Sequence, residues 1–190
     1  MDKASPRVLL ISGSSGAGKS TVSRLVAERF PLGVCIDGDL ITGLIVAGGR
    51  PPRIGAWSTE SKSFDPETDR QLNLRFRVLG RMARTYVESG FSVVIDTFFA
   101  EPWVWRCLDE LEGCETHLVT IEVPRRVRYD RIRARGTEPP VEAFDQLVDA
   151  ALDAQPKDRG LWLDGSRMEP SEMADIVLAS LDSSGLRSSP

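Results

Sequence analysis

The residues with the plainest chemical consequence are Gly13-Ser14-Ser15-Gly16-Ala17-Gly18-Lys19-Ser20, which fit the pattern GxxxxGK[ST] at every fixed position. Glycine lets the backbone take positive φ and approach a phosphate, so that successive N–H groups converge on the anion. A lysine at the end of such a loop reaches the β- and γ-phosphates, and the hydroxyl after it can ligate Mg²⁺. A helix that starts there, running on through Thr21, turns its positive end toward the same anion. Gly13 to Thr21 are therefore the expected nucleotide contacts, with Ser20 also a metal ligand.

Two aspartate-bearing segments stand ready to act on what that loop holds. Val34-Cys35-Ile36 runs into Asp37-Gly38-Asp39, and Val93-Val94-Ile95 runs into Asp96. In an open α/β sheet, ligands sit beyond the carboxyl ends of the strands. One such carboxylate can hold Mg²⁺, directly or through water, and Asp96 is the candidate. Another can accept the proton of an attacking hydroxyl, for which Asp37 and Asp39 are both candidates. Aspartate also starts turns and caps helices, so residue type alone leaves other uses open.

Elements must place these groups, and the hydrophobic pattern supplies them. Short apolar runs at Val8–Ile11, Gly33–Ile36, Phe91–Ile95, His117–Val123 and Leu161–Leu163 read as strands. Between them, Ser20–Phe30, Arg70–Ser89, Pro102–Leu111, Arg125–Arg135, Val141–Ala154 and Pro170–Leu181 have helical spacing. Gly90 and Gly136 follow two of these as stop signals. Strands separated by helices imply βαβ crossovers: a five-stranded parallel sheet with helices on both faces, in one α/β domain. At 190 residues the chain suits one such domain. Gly43 to Asp69 resists the alternation, being rich in glycine and proline, and a connection that long suggests a substrate-side loop. Within or near it, Arg53, Trp57, Glu60 and Arg75 are possible acceptor contacts, and Trp103 and Trp105 are further aromatic candidates. The polar ends, 1–6 and 183–190, are expected to be mobile.

Composition narrows the classes. Hydrophobic residues are 41% and charged residues 27%, and 24 basic residues against 28 acidic ones leave a net charge of −4. That balance disfavours a nucleic-acid partner, which would call for a concentrated basic surface. No apolar run is long enough to span a bilayer, and the start lacks the apolar core of a secretory signal, so a cytoplasmic location is expected. Cys35, Cys107 and Cys114 form no CxxC pair and read as reduced thiols. His117, the single histidine, lies in an apolar run and reads as structural.

With these motifs in order, the chain resembles the small P-loop kinases: the shikimate, gluconate and adenylylsulfate kinases and the chloramphenicol phosphotransferase and zeta-toxin-like group. The resemblance rests on Gly13–Ser20, Ile36-Asp37-Gly38-Asp39, Val93-Val94-Ile95-Asp96 and an arginine-rich helix after the fourth strand. It implies the three-layer P-loop fold, ATP and Mg²⁺ as ligands, and transfer of a phosphoryl group to a hydroxyl of a metabolite or antibiotic. By resemblance the aspartate after the second strand is the general base, which leans toward Asp37 without deciding between it and Asp39. A lid over 125–140 would place Arg131 and Arg135 over the transferring group, with Arg128 on the same helical face. The loop Asp164-Gly165-Ser166-Arg167 would flank the base of the nucleotide. After Asp39 the chain continues Leu40-Ile41-Thr42, where adenylylsulfate and polynucleotide kinases tend to carry an arginine. The competing expectations are a 5′-hydroxyl nucleic-acid or nucleotide-sugar kinase, and an ATP-binding regulatory module without an acceptor.

Overall fold

Alternation along single strands decides which helices cover which face. The computed structural model describes residues 5–50, 57–58, 63–99, 101–140 and 142–183, with the backbone alone at 57, 58, 63, 143, 144, 182 and 183. In β1 (Arg7–Ser12) successive side chains point to opposite sides of the sheet. Val8 and Leu10 join Phe76, Leu79 and Ala83 of α3 (Pro66–Glu88) and Val104 and Cys107 of α4 (Trp103–Glu110). Leu9 and Ile11 join Val22 and Val26 of α1 (Lys19–Glu28) and Met173, Ala174 and Val177 of α7 (Pro170–Ser183). Two apolar clusters on one sheet make three layers.

The sheet holds five strands, all parallel. Its order is β2 (Gly33–Asp37), β5 (Ser92–Asp96), β1, β6 (Glu115–Glu122) and β7 (Leu161–Asp164). β1 is therefore central, with β5 and β2 on one side and β6 and β7 on the other. In register, Ile11 lies beside Asp96, and Asp96 beside Asp37. That alignment brings the strand ends carrying Asp37 and Asp96 level with the start of the phosphate loop. The expected five strands and both helical layers are thus present.

Element boundaries differ in instructive ways. α3 begins a full turn before the expected Arg70, because Asp65 accepts hydrogen bonds from the N–H groups of Glu67 and Thr68, both at 3.1 Å, and Pro66 opens the helix. Asp followed by Pro is an N-cap with a residue suited to the first helical position. The sequence also hides α2 (Gly38–Gly43), whose N-cap is Asp37. The long segment after it contains a two-residue antiparallel ladder, β3 (Trp57–Ser58) with β4 (Ser63–Phe64). After β6 the chain forms α5 (Arg125–Ala134) and α6 (Glu142–Asp153). The expected tail beyond residue 183 lies outside the described residues.

Candidate active site

The loop between β1 and α1 turns on glycines at 13, 16 and 18, with φ of 149°, 79° and 100°. Gly18 caps α1 in the left-handed region, and a Cβ there would meet nothing within 4 Å, so the loop opens on space at that point. The first N–H groups of a helix have no partner within it and are available to an anion at that end. Lys19 folds back to donate to the Ser14 carbonyl at 3.3 Å. Burial pushes its ammonium below the ordinary lysine pKa, against the opposing pull of Asp96, Asp39 and Asp37. The loop therefore holds a cation taken from water without an anion of matching strength. These features suit a phosphate chain.

Asp96 lies at the end of β5 and is only 4% exposed. Burial raises its pKa; the Lys19 charge and a hydrogen bond from the Ser20 side chain pull it down, and Asp37 and Asp39 push it up. The pairing of Ser20 with Asp96 was not read from sequence, although each was a candidate metal-side residue. Among the described residues no cluster of three or more His, Cys, Asp or Glu is arranged to hold a metal. Mg²⁺ at this site would rely on the Ser20 and Asp96 oxygens, phosphate oxygens and water, a set that suits its reluctance to lose its hydration shell.

Asp37 and Asp39 take different positions. Asp37 Oδ1 accepts the Asp39 N–H at 2.8 Å, which fixes the carboxylate at the start of α2. Asp39 is exposed and accepts from Arg75 Nη2 at 3.0 Å. The same guanidinium nitrogen donates to the Thr97 hydroxyl in a short contact. Arg75, a low-ranking sequence candidate, thus ties α3 to α2 and to the residue after Asp96. A Cβ on Gly38 would lie 2.6 Å from Thr97 Cβ, so only glycine allows α2 this close approach.

One cavity of about 320 Å³ joins these parts, lined by Gly13, Ser15, Lys19, Ser20, Asp37, Asp39, Arg75, Asp96 and Thr97 at its polar end. Its remaining lining comes mainly from α3, the segment after β5, and α6. That segment is pinned to β1: Ser12 Oγ donates to the Phe99 carbonyl and accepts from the Phe99 N–H, each at 3.0 Å.

The expected lid arginines have separate fates. Arg128, 1% exposed, donates from Nη1 to the Ser15 carbonyl at 3.0 Å and to Asp145 Oδ1 at 2.8 Å, and from Nη2 to Asp149 at 2.8 Å. Ser14 Oγ donates to Asp149 Oδ1 at 2.6 Å. Asp145 and Asp149, one helical turn apart on α6, went unremarked in the sequence; that spacing, with a basic helix just before, was the signal. Arg131 Nη2 donates to the Gly165 carbonyl at 2.8 Å, in the loop expected to flank the base. Arg135 is exposed at the end of α5. Neither Arg131 nor Arg135 lines the cavity. Thr21 is exposed on the first turn of α1. Arg53, Glu60 and the side chain of Trp57 lie outside the described residues. Cys107 is buried with its thiol pushed up to about 12, and His117 is buried beside Glu115 at 3.0 Å. No helix among the described residues is long and apolar enough to cross a membrane.

A family model described as an AAA domain matches residues 8–159. No curated protein sequence matches the chain. Solved structures show the same fold at low identity. A sugar kinase from Janibacter sp. HTCC2649 is 20% identical, with 93% of this chain and 95% of that one covered and a TM-score of 0.67. An APS kinase from Mycobacterium tuberculosis, in complex with AMPPNP and APS, is 18% identical over 93% and 98%, with a TM-score of 0.63. A shikimate kinase from Acinetobacter baumannii, in complex with shikimate, is 20% identical over 97% of both, with a TM-score of 0.60. The fold is that of the small P-loop kinase group.

Proposed function

Because the chain belongs to the AAA domain family and has a small P-loop kinase fold, we propose that it moves the γ-phosphoryl group of ATP to a hydroxyl of a small molecule. The observation that carries this reading is a single cavity lined by Lys19, Ser20, Asp37, Asp39 and Asp96. A nucleotide site alone would need the loop; three carboxylates beside it supply what a transfer reaction needs. The APS kinase neighbour binds AMPPNP together with APS, which supports an ATP-and-acceptor arrangement on this fold.

The geometry supports the following roles. Lys19, already held in the loop, offsets phosphate charge, and contact with an anion would restore its preference for the ammonium form. Ser20 and Asp96 would hold Mg²⁺, which supplies neutralisation of charge on the phosphoryl oxygens. Asp37 is the proton acceptor. Its Oδ1 is fixed by the Asp39 N–H, and no partner of Oδ2 is found among the described residues. Asp39 Oδ1 is engaged by Arg75 Nη2 at 3.0 Å, which turns that carboxylate toward α3 and away from an incoming hydroxyl. The acceptor O–H proton passes to Asp37 as the hydroxyl oxygen bonds to the γ-phosphorus, and ADP leaves. Arg131 would exchange the neutral Gly165 carbonyl for a phosphoryl oxygen, a stronger charge-assisted partner, with Arg135 joining it at the lid.

Asp37→Asn should lower kcat by about 10²- to 10⁴-fold, the range for removing a general base, while the Kd for ATP changes little. Asp39→Asn should act more on KM for the acceptor, through Arg75. Steady-state ADP release and nucleotide titration separate these effects, and normal turnover by Asp37→Asn would refute the assignment.

A further inference from the structure

The same cavity constrains the acceptor, on the premise that the protein is the kinase proposed above. We propose that the acceptor is an uncharged alcohol whose hydroxyl is carried on a largely apolar body of one or two rings. Away from Asp37 and Asp96 the cavity is walled by Phe64, Leu72, Phe76, Phe98, Trp103 and Val148. The one polar atom of the Trp103 side chain, Nε1, is committed to Asp69 at 2.8 Å, so its contribution to the wall is ring carbon. Phe64 packs against the Trp103 ring at a centroid distance of 5.7 Å. Such a surface gains by covering apolar atoms and has few groups to replace the water around a polyol.

Charge points the same way. Among the described lining residues the cations are Lys19 and Arg75. Lys19 belongs to the phosphate loop, and Arg75 is already bound to Asp39 and Thr97. Five carboxylates, those of Asp37, Asp39, Asp96, Glu101 and Asp145, line the same space. Three are paired with guanidinium groups, Asp39 with Arg75, Asp145 with Arg128 and Glu101 with Arg159, which leaves Asp37 and Asp96 facing Lys19. Among the described lining residues, an acceptor carrying a carboxylate, sulfate or phosphate would meet net negative charge with no uncommitted guanidinium. The space available sets a scale for the body. A cavity of about 150 Å³ accommodates benzene. The 320 Å³ here, shared with the transferring phosphoryl group, leaves room for one or two rings.

The test uses the full chain with ATP and Mg²⁺ and three sets of probes: the aryl alcohols 2-phenylethanol and 2-(2-naphthyl)ethanol, the polyols glycerol and D-glucose, and the hydroxy acids D-gluconate and shikimate. ADP release gives kcat/KM, and quenching of tryptophan fluorescence with ADP and Mg²⁺ present gives binding apart from transfer. The aryl alcohols should lead the other sets by about 100-fold in kcat/KM, with the naphthyl compound ahead of the phenyl one by tenfold or more, at roughly fourfold per buried CH₂ equivalent. Val148→Thr keeps the wall's shape and adds a hydroxyl; it should raise KM for the naphthyl alcohol roughly fivefold with the melting temperature nearly unchanged. A higher kcat/KM for polyols or hydroxy acids overturns the acceptor class and leaves the kinase reading standing. Binding of aryl alcohols with no ADP release above a Lys19→Ala blank supports the pocket assignment and overturns the kinase reading. Aryl alcohols that neither bind nor react up to their solubility limit overturn the acceptor class.

Discussion

Lys19 and Asp96 carry opposite charges, yet burial drives both toward neutrality, the lysine pKa downward and the aspartate pKa upward. That state suits a protein awaiting a charged ligand, because phosphates restore the ammonium form. The sign sets a measurable consequence. With its folded-state pKa below 10.5, Lys19 binds less proton in the unliganded protein than in the unfolded chain over the window between those values. Its contribution to stability therefore rises with pH across that window. Nucleotide would reverse the shift, so binding should take up a proton, with uptake near zero well below the unliganded pKa, largest between the unliganded and liganded values, and falling again above both. Calorimetric titration in buffers of different ionisation enthalpy reads this uptake. Lys19→Arg, which stays charged, should remove it; equal uptake in both proteins would mean another group is responsible. Cys35, exposed but with its thiol raised to about 11 by partial burial and the nearby Asp96 and Asp37, is poorly placed to act as a nucleophile.

At the scale of elements, Arg128 decides how the helices after β6 sit on the phosphate loop. One buried guanidinium joins the Val123 and Ser15 carbonyls to Asp145 and Asp149 on α6, and Asp149 in turn accepts from Ser14. Arg128→Met would leave Asp145, 1% exposed, as a buried carboxylate without its bidentate partner. The expected loss is about 3–5 kcal/mol, roughly a 10 °C fall in Tm. Thermal and denaturant melts measure it, and a loss below about 1 kcal/mol would show that the network is dispensable. Sequence alone revealed α5 but not this use of it. Arg128 and Asp145 are 17 positions apart, and only the packed helices bring them together. α2 was hidden because six residues give too few turns for periodicity to show. The start of α3 was hidden because Pro66 sits in a proline- and glycine-rich stretch and reads as loop, until Asp65 is seen to cap it.

For the whole molecule, legibility tracked locality. Each core strand is a short apolar run, and the phosphate loop is contiguous, so both stand out in one dimension. Order β2-β5-β1-β6-β7 then makes neighbours of Asp37 and Asp96, which are 59 positions apart in sequence. The apolar end of the cavity was only hinted at: Trp103 was an aromatic candidate, but Phe76 falls in a helical apolar pattern and nothing singled out Phe98, and assigning them to a ligand wall requires the space between them. The account's central claim is that this architecture couples ATP to an acceptor hydroxyl, which ADP release across a panel of hydroxylated compounds tests most directly, with Lys19→Ala as the blank. The account predicts that at least one acceptor raises ADP release more than about tenfold above the acceptor-free rate, and that Lys19→Ala abolishes the rise. ADP release that stays flat across the panel while the wild-type protein binds ATP would contradict it.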